Sequence, residues 1–163
     1  MKIVSNTSPL AYLLLIDQDE LLYELFGQII IPQAVSLELA DKGAPDVIRR
    51  WIAEPPLWLT IEAVTVEVDP VLDRLHAGEK EAIVLAQELG ADLIILDEKQ
   101  AREVAKERGL NVTGLLGVLD EAATKGLVDL PTVIENLRKT SFRVSPSMLK
   151  MLLDRHFHLG NQE

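Results

Sequence analysis

The stretch Asp92-Leu93-Ile94-Ile95-Leu96 decides the fold class, because it has the character of a strand buried on both faces. Gly90 lies just before it and Asp97 ends it. A short apolar run rich in Ile and Leu and bounded by turn residues is typical of a strand in a parallel sheet. The run therefore predicts an α/β architecture built around this strand.

Similar runs alternate with segments of helical spacing along the chain. Between residues 78 and 89, for example, apolar residues recur at Ala82, Leu85, Ala86 and Leu89, which is the stripe of an amphipathic helix. Alternation of this kind predicts a mostly parallel sheet with helices on both faces. The other predicted strands are 2–5, 28–31 and 110–113, with an edge strand at 57–61; the other predicted helices are 32–40, 99–108, 115–124 and one beginning at 145–146.

Length and composition describe one globular domain, residues 1–163. The chain has no cysteine, which excludes disulfide scaffolds and cysteine-ligated metals. Its net charge of −10 argues against attraction of a polyanion by the average field of the protein. The apolar run from Leu10 to Ile16 is far shorter than the ~20 residues of a membrane-spanning helix, so we expect a cytoplasmic protein without a membrane partner.

Functional sites of parallel sheets lie beyond the carboxyl ends of the strands. Asn6-Thr7-Ser8 follows the first predicted strand, and Asp97-Glu98 follows the strand that decides the fold. Neither segment is part of a glycine-rich phosphate-binding loop, and no GxGxxG or GxxxxGK[ST] motif occurs in the chain. Nucleotide binding of the dinucleotide or P-loop type is therefore unsupported.

Several polar residues near these strand ends have both a structural and a functional interpretation. Asp97 either caps the helix that follows it or belongs to a site, and Asn6 either caps a helix beginning near residue 8 or belongs to the same site. Glu38 lies in an otherwise apolar helical segment, where it either points to solvent or is paired. Glu79 and Glu81 either complement a helix dipole or join the site. Spacing alone favours the structural interpretations.

The order of several motifs resembles the PIN-domain family, and most closely its PIN-like proteins described as predicted nucleic-acid-binding proteins. The resemblance covers nearly the whole chain, and it is the order and spacing of the motifs, rather than any one of them, that is specific. The motifs are Ile3-Val4-Ser5-Asn6-Thr7-Ser8-Pro9-Leu10, Ile29-Ile30-Ile31-Pro32 with Val35 to Leu39, Gly78-Glu79-Lys80-Glu81-Ala82-Ile83, Leu93-Ile94-Ile95-Leu96-Asp97-Glu98, Val112-Thr113-Gly114-Leu115-Leu116-Gly117 and Gly126-Leu127.

This resemblance implies a three-layer PIN-like sandwich and a metal-dependent endoribonuclease that cleaves RNA with Mg²⁺ or Mn²⁺. Matched by position, the family's four acidic ligands fall on Asn6, Glu38, Glu81 and Asp97, with Glu79 as the alternative to Glu81. Many relatives are the toxin half of VapBC toxin–antitoxin pairs. The resemblance therefore also implies a small antitoxin as partner and a homodimer.

Asn6 departs from the family pattern, which has Asp at this position. An amide oxygen can ligate a hard cation, but it adds no negative charge and cannot act as a base. The departure leaves a second hypothesis open, in which the domain binds nucleic acid or protein without turnover. A third hypothesis is that the acids are only helix caps and surface groups, scattered in space.

Two further features have competing interpretations. Lys99, Arg102 and Lys106 share one side of a predicted helix and either contact RNA phosphates or form a solvated face. Near the carboxyl end of the chain, an apolar stripe either packs on the domain's own core or forms a dimer contact. The stripe consists of Met148, Leu149, Leu152 and Leu153.

Overall fold

The computed structural model describes residues 1–160, with side chains up to residue 157. Its centre is a five-stranded sheet in the order β3-β2-β1-β4-β5, in which every neighbouring pair of strands is parallel. The strands are β1 (Ile3–Ser5), β2 (Ile29–Pro32), β3 (Leu59–Glu62), β4 (Leu93–Ile95) and β5 (Val112–Thr113).

Helices connect the strands and cover both faces of the sheet. A 3₁₀ turn, Pro70–Arg74, precedes the fifth helix. The α-helices are α1 (Thr7–Leu15), α2 (Glu20–Phe26), α3 (Gln33–Leu39), α4 (Asp46–Ala53), α5 (Ala77–Leu89), α6 (Lys99–Glu107), α7 (Leu115–Thr124), α8 (Leu130–Arg138) and α9 (Pro146–Gly160).

Two apolar cores lie on opposite faces of the sheet because successive strand residues point to opposite sides. Within β1, Ile3 belongs to one core and Val4 to the other, and both side chains are fully buried. The first core also contains residues of α1, α7 and α8, whereas the second contains residues of α5 and α6. The predicted sandwich of helices, sheet and helices is therefore confirmed.

The predicted elements all form, with ends that coincide or differ by one or two residues. The segment after Pro55-Pro56 is indeed an edge strand, β3. The predicted single domain covers residues 1–163, and its last three residues, 161–163, lie outside the described part of the chain. Among the described residues, no helix has the length and apolar character needed to cross a membrane.

The parallel register brings the carboxyl ends of β1 and β4 together. Ser5 pairs with Ile95, and the backbone N–H of Asn6 donates to the carbonyl of Ile95 at 3.0 Å. The residues that follow these two strands therefore share one edge of the sheet, as the sequence predicts.

Candidate acidic site

Asn6 is the first residue beyond β1, and the residue is 5% exposed. It occupies the N-cap position of α1, yet its side chain makes no capping hydrogen bond. Its Oδ1 is buried and accepts no hydrogen bond from the described residues. The simple capping interpretation of Asn6 is therefore wrong for its side chain, because the polar oxygen is directed elsewhere.

Asp97 presents a similar oxygen two residues beyond β4. Its Oδ1 accepts the backbone N–H of Leu115, at the start of α7, over 2.7 Å. Its Oδ2 is buried and accepts no hydrogen bond from the described residues. The capping interpretation of Asp97 is also wrong, because the N-cap of α6 is Glu98. Asp97 binds a helix that begins eighteen residues later in the chain.

The environment of Asp97 disfavours its charge. Burial raises the pKa of the Asp97 carboxyl above its ordinary value, and the charge of Glu98 acts in the same direction. The Leu115 N–H and the Arg102 guanidinium lower it and offset part of this effect. A carboxylate in this position gains from a nearby cation, because the cation favours the charged form.

Glu38 lies on α3 and is held by two other elements. The Thr7 hydroxyl donates to its Oε2, and the Gly78 N–H donates to its Oε1 at 2.9 Å. A Cβ atom on Gly78 would lie 2.6 Å from Oε2 and 2.8 Å from Oε1, so the Glu38 carboxylate occupies the space left by this glycine. The interpretation of Glu38 as a solvent-directed residue is therefore wrong: it joins α3 to the first turns of α1 and α5.

Glu79 follows Gly78 on α5 and is 5% exposed. Its Oε1 accepts the backbone N–H of His76 at 3.0 Å, so it helps to cap its own helix. Burial raises the pKa of Glu79, and the charges of Glu98 and Glu38 raise it further, while the His76 N–H and the His76 side chain lower it. Glu79 is therefore a buried acid whose pKa is affected by the charge of Glu38.

Glu81 lies two residues further along α5 and points to a different neighbour. Its Oε1 accepts the backbone N–H of Ala34, in the first turn of α3, at 3.2 Å. The observed contact of Glu81 is therefore a structural one, with the N-terminal turn of α3. Its assignment as the third acidic ligand stays a prediction, and the contribution of the Glu38 charge to the raised pKa of Glu79 favours the alternative.

We call Asn6, Glu38, Glu79 and Asp97 the acidic edge. The backbone joins Asn6 to Thr7 and hence to Glu38, and Glu98 contributes charge to both Asp97 and Glu79. No three carboxylate, imidazole or thiol side chains among the described residues stand close enough to form a ready-made metal cluster. The acids are therefore gathered along one edge without converging on a single point.

The donor set nevertheless fits a hard cation. Asn6 Oδ1 and Asp97 Oδ2 are buried oxygens that receive no hydrogen bond from the part of the chain that the structure describes. Mg²⁺ and Mn²⁺ prefer oxygen ligands, and Mg²⁺ commonly uses only one or two carboxylates because it keeps several waters. An unpaired carboxylate and an unpaired amide oxygen at the ends of neighbouring strands supply such ligands.

Sequence reasoning missed two glycines that shape this edge. Gly78 makes room for the Glu38 carboxylate, and a Cβ atom on Gly114 would lie 2.9 Å from Asp97 Oδ1. Both glycines stand in motifs that carry the PIN resemblance, but neither has a positive φ that would single it out. Only the packing reveals that a side chain at either position would collide with an acid.

Comparison with protein-family models gives a match over residues 2–157 to DUF3368, a family described as PIN domain. This match covers nearly the whole chain, and the chain belongs to the PIN-domain family. Proteins of this family are typically nucleases, and PIN domains generally use divalent metal ions. No curated protein matches the chain.

Among solved structures, the chain is similar to a PilT N-terminus domain protein from the hyperthermophilic archaeon Sulfolobus solfataricus P2. The two share 25% sequence identity, and the TM-score is 0.55. The similarity covers 75% of this chain and 93% of the archaeal one. It agrees with the family match and with the observed α/β sandwich.

Proposed function

We propose that this PIN domain is an endoribonuclease that hydrolyses RNA phosphodiester bonds with Mg²⁺ or Mn²⁺ at the acidic edge. The observation that carries the proposal is a pair of buried oxygens beyond two neighbouring strands, Asn6 Oδ1 and Asp97 Oδ2, which have no hydrogen-bond partner among the described residues. In this family, such strand ends are where a divalent ion belongs. We assign Asn6, Asp97 and Glu38 as its ligands, with Glu79 in preference to Glu81.

Each residue has a separate part in this proposal. Asp97 supplies charge through Oδ2 while Leu115 fixes its orientation through Oδ1. Glu38 supplies a second charge, oriented by Thr7 and Gly78. Asn6 supplies a neutral oxygen. A bound divalent ion would lower the pKa of a coordinated water and neutralise charge on the scissile phosphate.

Because Asn6 is neutral, we expect the site to bind its metal ion weakly. Where the family pattern has a carboxylate, the amide contributes no charge to attract a cation or to offset its dehydration. We therefore expect metal affinity and turnover below those of a PIN domain with four acids. The same feature favours the second candidate, a nucleic-acid-binding or protein-binding module that uses the same fold without turnover.

The test is cleavage of a labelled single-stranded RNA by purified protein in Mn²⁺ and in EDTA. Asp97→Asn, prepared in parallel, controls for contaminating nucleases, because Asn can still accept the Leu115 N–H. Cleavage that requires Mn²⁺ and is lost in Asp97→Asn supports the proposal. RNA binding without cleavage supports the second candidate, and cleavage that persists in EDTA contradicts metal-dependent hydrolysis.

A toxin role with a small antitoxin, and a homodimer, remain proposals that follow from the family alone. On α9, Leu149 is buried, and Leu152 and Leu153 pack on the domain's own core, whereas Met148 is half exposed. Most of the apolar stripe is therefore used within the chain. Light scattering coupled to size-exclusion chromatography would test the dimer directly, because a monomer mass of 18.1 kDa would contradict it.

A further inference from the structure

Arg102 is a half-buried cation on the first turns of α6, close to the acidic edge. Its Nη1 donates to the backbone carbonyl of Leu96 at 3.4 Å, and the described residues offer its side chain no other hydrogen bond. A guanidinium carries five N–H donors in a planar fork. Most of the donors of Arg102 therefore have no acceptor within residues 1–157.

Arg102 and Asp97 are neighbours that do not pair. The position that a Cβ atom on Gly114 would take lies 2.4 Å from Arg102 Nη1 and 2.9 Å from Asp97 Oδ1. The two side chains thus approach the same small space, yet they form neither an ion pair nor a hydrogen bond with each other. An arginine placed only to neutralise a carboxylate would be expected to form the bidentate pair that such groups prefer.

The other cations of α6 are placed differently. Lys99 and Lys106 are exposed, as a solvated face predicts. Arg108, at the far end of the helix, pairs with Asp69 at 2.8 Å and also donates to Gln87. Arg102 is distinguished from them by being half-buried beside the acidic edge with most of its donors unused.

We propose that Arg102 is a substrate-binding residue that donates to a non-bridging phosphate oxygen of RNA held at the acidic edge. The inference deepens the proposed function and rests on it. An edge rich in carboxylates in a chain of net charge −10 repels a polyanion. A cation beside the proposed metal ligands would offset this repulsion where the phosphate binds. The planar fork suits two phosphate oxygens at once.

Gly114 is the positioning residue in this arrangement. Any side chain at position 114 would occupy the space of Arg102 Nη1 and press on Asp97 Oδ1. Because glycine has no side chain, the Arg102 guanidinium and the Asp97 carboxylate can lie side by side at the start of α7. The carboxylate can then face a metal ion while the guanidinium faces the phosphate bound to that ion.

The experiment compares wild type, Arg102→Gln, Arg102→Lys and Arg138→Gln. Arg138 is an exposed arginine on α8 with no side-chain partner among the described residues, so its replacement removes the same charge from another surface. Binding of a fluorescein-labelled 12-nucleotide single-stranded RNA is followed by anisotropy over a range of salt, in EDTA and at early times in Mn²⁺. Cleavage kinetics of the same RNA give kcat and KM, and thermal melting shows that each variant is folded.

For Arg102→Gln we expect RNA affinity to fall on the order of 10- to 100-fold, as for loss of a charge-assisted hydrogen bond. The slope of log affinity against log salt should decrease by about 0.7, the value for one phosphate contact on a single strand. Arg102→Lys should recover part of the affinity, because it keeps the charge and loses the fork. Arg138→Gln should behave like wild type.

The outcomes separate this inference from the proposed function. Cleavage by wild type with unchanged binding, KM and salt slope in Arg102→Gln overturns the inference and leaves the nuclease standing. Equal weakening by Arg102→Gln and Arg138→Gln also overturns it, because the effect is then one of general charge. Binding that depends on Arg102 without any cleavage supports it and contradicts the nuclease. Absence of RNA binding by wild type in both buffers overturns it as well.

Discussion

Asn6 and Asp97 follow neighbouring parallel strands, and each buries an oxygen that accepts no hydrogen bond from the described residues. A buried polar group without a partner costs about 1–3 kcal/mol. Two such groups at one sheet edge are the pattern of a ligand site rather than of a core. A bound cation would satisfy both oxygens, so the stability and the function of this edge should be linked through metal binding.

Asn6→Asp should strengthen Mn²⁺ binding on the order of tenfold, because it restores a fourth negative charge beside the ion. Without metal, the same change should lower the melting temperature, since a second buried carboxylate then repels Asp97. Calorimetric titration measures the first effect and melting in EDTA the second. A variant with unchanged affinity would remove Asn6 from the site.

In EDTA, the stability of Asp97→Asn minus that of wild type should increase as pH rises from about 4 to 7. The folded-state pKa of Asp97 is raised, so the folded chain binds the proton more tightly than the unfolded chain. Stability contributed by this proton is present at low pH and is lost as pH rises through the raised pKa. Asn does not titrate and therefore avoids this loss.

The measurement for this prediction is the difference in melting temperature between Asp97→Asn and wild type at each pH, which should increase as pH rises. The difference cancels the titration of groups that do not interact with Asp97. Parallel curves for Asp97→Asn and wild type would contradict the raised pKa.

Gly78→Ala should separate function from stability. Alanine is favoured over glycine in a helix interior by about 1 kcal/mol, but Gly78 lies in the first turn of α5, and the Glu38 carboxylate that its Cβ would meet must move away from Thr7 and the Gly78 N–H. We expect a melting temperature close to that of wild type, together with weaker Mn²⁺ binding and slower cleavage. If Glu38 carries the effect, adding Gly78→Ala to Glu38→Gln should cause no further loss.

Glu79→Gln should lower the affinity for Mn²⁺, whereas Glu81→Gln should leave it nearly unchanged. The charge of Glu38 helps to raise the pKa of Glu79, so the two carboxylates interact, and Glu79→Gln should weaken Mn²⁺ binding severalfold. Glu81 contacts the Ala34 N–H, so Glu81→Gln should alter stability by less than about 1 kcal/mol and leave metal affinity nearly unchanged. The opposite ranking of the two affinities would restore Glu81 as the third ligand.

Hydrophobic pattern was sufficient to predict the sheet. The run that ends at Asp97 is too apolar to face water, and the parallel order follows from its alternation with helices. Three short helices, α2, α4 and α8, were not predicted. For α8 the signals are present, because Asp129 caps the helix, Pro131 lies in its first turn, and the apolar residues recur at helical spacing.

Side-chain direction at the site could not be predicted from spacing. Glu79 and Glu81 are two residues apart on one helix, so they point to different sides, and both lie at the margin of its apolar stripe. The partner of Asp97 is eighteen residues away in sequence and belongs to another helix. The need for Gly78 and Gly114 comes from neighbouring side chains, which a local sequence pattern does not contain.

The most direct test of the central claim is calorimetric titration of Mn²⁺ into wild type and into the double variant Glu38→Gln, Asp97→Asn. Both substitutions keep side-chain size and an acceptor oxygen, and thus remove charge with little change in packing. We predict saturable binding by wild type that is lost in the double variant. Equal binding by both proteins, or none by either, would contradict a metal site at the acidic edge.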